Sequence, residues 1–353
     1  MFKHVFTAIA GMLALNTAAA AQTCTAPSVA DTVALNPVAG SDLMTVPVEI
    51  NGTTKQFLLD IGTDHSEISQ AAAAELHLPS GNQSGDSLAL APGADMSGNQ
   101  FRNFNQNAQL SGAVMDVGGS RSAQDYAQRV RAATFKIGDA TAERLQLIIA
   151  NDKEMGKSEP WDGRMTGDFF SQYDIEFDFG GKKLNFVTTT NCTEKQIVYW
   201  PATVVAIVPM KLSDGKMRVP VTIGGHTIDA VINMGSAHTV MRRGVAEDLG
   251  LVPGSADVPP DGNVRDGTGE PVYRHTFPQI SFGGVIANNV PVRIQSNSMV
   301  HQINRTPVLG SRAQFAADPA TRVPELAIGM DVLHQLHMYA AFGEDKLYVT
   351  AAE

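Results

Sequence analysis

Two short stretches stand 173 positions apart: Asp60-Ile61-Gly62-Thr63 and Asn233-Met234-Gly235-Ser236. Each follows an apolar run, Phe57-Leu58-Leu59 in one case and Ala230-Val231-Ile232 in the other. A carboxyl such as Asp60 can take up and return a proton, whereas an amide such as Asn233 can only donate or accept hydrogen bonds. The first stretch therefore carries acid–base chemistry and the second does not. His65 and His238 also match, three residues beyond each motif glycine. Their plain reading is as polar loop residues inherited together. A sharper grouping of Asp60, Asp64, His65 and His238 around a metal lacks any HExxH or similarly spaced pair, so no metal and no other cofactor is expected. Ser-x-Gly and Gly-x-Ser fragments lack the strand–turn–helix frame of a nucleophile elbow, which disfavours a serine hydrolase.

The elements that position these residues repeat. Residues 46–78 align without a gap onto residues 219–251, with eleven identities in 33 positions, well above chance. In each copy Val46, Val48 and Ile50, or Val219, Val221 and Ile223, alternate with the period of a half-buried strand. Gly52 and Gly225 mark turns, a second apolar run leads into the motif, and helix-like spacing follows over residues 69–76 and 242–249. Ser69 fits an N-cap and Gly250 a stop. A second part of the repeat pairs residues 168–172 with 331–335 and residues 179–184 with 342–347. There Thr166 falls opposite Gly329, so the turn beneath the first motif is expected to differ from its counterpart. Glycines mark a possible hairpin in each half, with Gly118 and Gly119 in one and Gly267 and Gly269 in the other.

Composition bounds the function classes. The 353 residues carry 26 Lys plus Arg against 36 Asp plus Glu, a net charge of -10 that argues against nucleic acid or an anionic membrane as partner. No long apolar run occurs in the body of the chain, so no membrane span is expected. Residues 1–21 combine a short polar start, an apolar stretch and a run of small residues, the pattern of a secretory signal peptide. Export would make the protein periplasmic or secreted. In that oxidising setting Cys24 and Cys192, the two cysteines of the chain, are expected to form a disulfide. The expected division is signal peptide 1–21, N-terminal segment 22–41, first lobe 42–188, linker 189–205 and second lobe 206–353.

An apolar strand running into Asp-x-Gly-Thr/Ser, then a short helix, and later an apolar pair with glycine, resembles the aspartic peptidases. The doubled motif and the closing Gly329-Met330-Asp331-Val332-Leu333 are similar to bacterial retropepsin-like proteins with two fused copies. The resemblance implies a mainly β, bilobal pepsin/retropepsin-like acid protease fold: two pseudo-symmetric, β-barrel-like lobes with short helices and flap hairpins over a peptide cleft. It implies a catalytic role for Asp60 and for the second position, here Asn233. Ile61, Gly62, Thr63, Met234, Gly235 and Ser236 would form the supporting loops. Asp64, His65, His238, Gly118, Gly119, Gly267 and Gly269 would line the substrate cleft. In such enzymes two carboxyls share one proton, one acting as base and the other as acid. Asn233 breaks that pair, and the hydroxyls expected between Asp and Gly are Ile61 and Met234. Paired loss of hydrogen-bonding partners can be nearly neutral for stability. The expectation is an exported peptidase homologue, monomeric, with a peptide or protein ligand and impaired proteolysis. The alternatives are a working aspartic endopeptidase relying on Asp60, and a repurposed metal or ligand site.

Overall fold

The computed structural model describes residues 27–61, 66–79, 89–90, 129–150, 160–170, 173–188, 197–213, 216–297 and 324–352. Among them the chain is mainly β, with three sheets and four short helices. Two eight-stranded sheets each belong to one half of the sequence, and a six-stranded sheet draws strands from both.

The two eight-stranded sheets are built alike. Strand Met44–Ile50 pairs with Thr53–Leu59 across the Asn51–Gly52 turn, and Lys216–Ile223 pairs with His226–Ile232 across Gly224–Gly225. The alternation read from the sequence is the burial pattern: Val46, Val48 and Ile50 face the core, as do Val219, Val221 and Ile223. In each half the strand leading into the motif then pairs in parallel with a short strand from much later in that half. Phe57–Leu59 runs beside Gly163–Met165, and Ala230–Ile232 beside Leu326–Ile328. Antiparallel strands Glu67–Ile68 and Thr239–Arg242 close the other side of those short strands. This doubling in space follows the doubling in sequence, down to the register.

Short helices follow where the spacing predicts them. Gln70–Glu75 is capped by Ser69, whose hydroxyl accepts from Ala72 N–H at 3.1 Å. Arg243–Asp248 ends at Gly250, which takes the left-handed φ of +81° that favours glycine. Ala72 and Ala73 in one helix, and Val245 and Ala246 in the other, face the core.

The six-stranded sheet runs in the order Val29–Ala34, Lys183–Val187, Asp174–Asp178, Leu336–Ala341, Lys346–Ala351, Ala206–Pro209. Its middle pair joins the halves, with Ile175 opposite Ala340, Glu176 opposite Tyr339, Phe177 opposite Met338 and Asp178 opposite His337. One face, with Ile175, Phe177, Leu184, Met338, Leu347 and Val349, enters the same core as both lobes. The opposite face is polar and aromatic, and residues 197–200 lie across it: Ile197, Val198 and Trp200 pack on Val187, Tyr339, Ala341 and Tyr348. One continuous core therefore runs through both lobes. Cys24 and Cys192 lie outside the described residues.

Candidate active site

Each motif loop leaves its strand and is caught by the same hydrogen bond. Asp60 N–H donates to the Met165 carbonyl at 2.8 Å, and Asn233 N–H to the Ile328 carbonyl at 2.9 Å. The next residue is buried in both lobes, Ile61 at 0% exposure and Met234 at 1%, and both belong to the common core. Two apolar side chains thus occupy the places where hydroxyls are expected, and neither brings a polar side-chain atom into the core. The double replacement is compatible with an intact fold for that reason.

The turn beneath each loop is held by a hydroxyl from the next strand. Ser66 Oγ accepts from Thr166 N–H at 3.2 Å, and Thr239 Oγ1 accepts from Gly329 N–H at 3.0 Å. Thr166 therefore does the backbone work of Gly329, and its own hydroxyl lies 3.3 Å from Ser66 Oγ. The glycine is required only in the second lobe, where a Cβ at position 329 would collide with the backbone of His238 and Thr239. Asp331 ties that loop further, accepting from Thr239 N–H at 2.9 Å and from its hydroxyl at 2.6 Å.

The two loops meet. A Cβ at Gly235 would run into the Asp60 carboxylate, so the only buried carboxylate of the first motif abuts the backbone of the second. Asp60 is 2% exposed, and Asn233 is partly buried two residues before that contact. Arg164 stands at 3.9 Å from Asp60 Oδ2, its side chain about a quarter exposed. An arginine here had no sequence signal of its own, although extending the second repeat block backwards places it opposite Ala327.

The remaining expected site residues that are described all lie in the second half of the chain. Ser236 is drawn into its own loop, its hydroxyl donating to the His238 carbonyl at 2.7 Å. His238 is exposed and lies 3.9 Å from Asp331. Gly267 and Gly269 form the turn of a hairpin between strands Pro260–Arg265 and Pro271–Phe282. Asp266 organises that turn, accepting from Thr268 N–H and Oγ1, from Glu270 N–H and from Ser296 N–H. Burial would raise the Asp266 carboxyl, but the Ser296 and Thr268 bonds outweigh it and hold the group far below the usual carboxylate range. Gly62, Thr63, Asp64, His65, Gly118 and Gly119 lie outside the described residues. Among the described residues one cluster could supply three metal ligands, Glu176, Asp178 and His337, and it sits on the six-stranded sheet.

Residues 219–332, which hold the second motif and the turn beneath it, match the family described as aspartyl protease. No curated protein matches the sequence. Among solved structures, basic 7S globulin from soybean is 8% identical, with 91% of this chain and 94% of that one covered at a TM-score of 0.42. Conglutin gamma, a basic 7S globulin from lupine seeds, gives the same identity and coverage at a TM-score of 0.44. A retropepsin-like aspartic protease from Rickettsia conorii is 11% identical over 43% of this chain and 96% of its own, at a TM-score of 0.28. No helix among the described residues is long and apolar enough to cross a membrane.

Proposed function

Since residues 219–332 match the aspartyl protease family, we propose that the chain is an exported peptide-binding homologue of it whose proteolysis is impaired. The observation that carries this reading is the junction of the motif loops: the Asp60 carboxylate lies against Gly235, and the residue matching Asp60 in that second loop is Asn233. Hydrolysis by this family's chemistry needs two groups that exchange one proton, so that water is deprotonated as the carbonyl oxygen is protonated. Asn233 cannot enter that exchange. Arg164, the charged neighbour of Asp60, offers only N–H donors and no acceptor, so it cannot take up that proton either. Peptide affinity depends on main-chain hydrogen bonds and side-chain pockets, so binding does not need the second carboxyl.

The test sets the wild-type protein beside Asn233→Asp in a peptide-cleavage assay at pH 3–7. Wild type is expected near the background rate, and the variant at least about tenfold above it, since members of a catalytic pair act as a unit. Robust wild-type cleavage abolished by Asp60→Ala would restore the working-peptidase reading. Export carries its own expectation. Protein recovered from the oxidising compartment should show Cys24 and Cys192 protected from alkylation until reduced, as read by mass spectrometry.

A further inference from the structure

We infer that the floor of the inter-lobe site recognises a carboxylate on its ligand, with Arg164 as the anchor; this rests on the peptide-binding reading above. Arg164 lies on strand Gly163–Met165, flanked in register by Leu58 and Glu67. The equivalent place in the second lobe is Ala327, flanked by Val231 and Val240. One lobe thus carries a methyl group and the other a guanidinium with five N–H donors.

Those donors are not used to hold the fold. Arg164 makes no side-chain hydrogen bond among the described residues, and its buried Nε has no partner. Its ion pair with Asp60 spans 3.9 Å, beyond hydrogen-bonding length. Other arginines of the chain are engaged more closely: Arg293 meets Asp261 at 2.8 Å and Arg242 meets Glu325 at 3.4 Å. A partly exposed guanidinium with idle donors matches the two oxygens of a carboxylate, which it can hold with parallel bonds.

Charge points the same way. A proton-sharing pair of carboxyls carries one negative charge and repels an entering anion. Here the Asp60 charge is opposed by Arg164, and Asn233 is neutral with an N–H₂ that can donate. The Asp60–Asn233 pair carries the same single charge as a proton-sharing pair, so it is the Arg164 guanidinium that shifts the site towards anions. The carboxylate could belong to a peptide C-terminus or to an internal Asp or Glu side chain.

Fluorescence anisotropy with the full chain and three labelled hexapeptide pools separates these cases. The first pool ends in a free carboxylate without acidic residues, the second is amidated with an internal Glu, and the third is amidated without acidic residues. Wild type should bind the first or the second at least about tenfold tighter than the third, and the preferred pool names the source of the carboxylate. Arg164→Gln should bind all three pools alike, losing the preference of at least about tenfold. Arg164→Lys, which keeps the charge without the planar fork, should retain part of the preference and guards against loss of fold in the glutamine variant. Equal affinity for all pools, or a preference that survives in Arg164→Gln, overturns the anchor and leaves peptide binding standing. Failure of every pool to bind overturns peptide binding itself.

Discussion

Asn233 differs from an aspartate by the replacement of one oxygen with an N–H₂, and that exchange removes a titratable proton while keeping shape and hydrogen-bonding reach. Asn233→Asp is therefore a nearly isosteric test of chemistry rather than of packing. Its gain should remain partial, because Ile61 and Met234 replace the hydroxyls expected just before each motif glycine and Arg164 still opposes Asp60. Gly235 tests packing instead. With no side chain it lets Asp60 reach the second lobe, and a methyl group would meet the carboxylate directly. Gly235→Ala should cost about 1–3 kcal/mol by overpacking a closed junction, read as a lower urea midpoint with unchanged slope. A midpoint equal to wild type would mean that the loops do not meet as closely as described.

At the scale of elements, the strand pair that joins the halves carries a buried polar cluster on its outer face. Glu176 Oε1 lies 2.7 Å from His337 Nε2, and its other oxygen accepts from Asn185 Nδ2 at 2.9 Å and from the Tyr199 hydroxyl. Trp200 stacks on the His337 ring at 4.1 Å and donates to Thr350 Oγ1 at 3.0 Å. The cluster thus fastens residues 197–200 across the joint between the lobes. His337→Ala would strip Glu176, buried at 2% exposure, of its ring partner while Asn185 and Tyr199 stay in place, at a cost of about 1–3 kcal/mol. Trp161 and Trp200 are the two tryptophans of the chain. With Trp161 changed to Phe, a shift in the emission of Trp200 would report release of the segment alongside the stability loss. An unchanged midpoint and spectrum would show that apolar packing alone holds it.

For the whole molecule, the same sheet makes stability depend on pH. Burial pushes the Asp174 carboxyl up to about 6 from an ordinary value of 3.8, with Glu344 adding to the rise and the Tyr339 hydroxyl opposing it. A carboxyl raised by folding favours the native state when protonated. Its contribution is complete below the unfolded value and fades as pH rises through about 6. Asp174→Asn should remove that loss and leave the protein about 1–3 kcal/mol more stable than wild type at pH 7. At pH 4 the two should be close. Urea unfolding at pH 4, 5, 6 and 7 checks the slope, and parallel wild-type and variant profiles would count against this origin. Because one core runs through both lobes, the effect should appear in a single transition.

Much of this arrangement is legible along the chain because the determinants are local and repeated. Alternating Val and Ile placed the strands, Ser69 and Gly250 placed helix ends, and the matched motifs placed Asp60 and Asn233 at equivalent loops. Such signals need only a window of a few residues, and a second copy makes each one count twice. The tertiary structure decided what depends on partners far away in sequence. Thr166 keeps the turn without a glycine because Ser66, a hundred positions earlier, supplies the hydroxyl. Strand Val29–Ala34 and residues 197–200, read as terminal segment and linker, become part of the joint only when both halves pair through Glu176 and Tyr339. Arg164 looks like any polar residue between glycine and methionine until the parallel pairing with Leu58 brings it beside Asp60. Charge and hydrogen-bonding partners act through space over a few ångströms, and it is the pairing of distant strands that sets which groups lie within that reach.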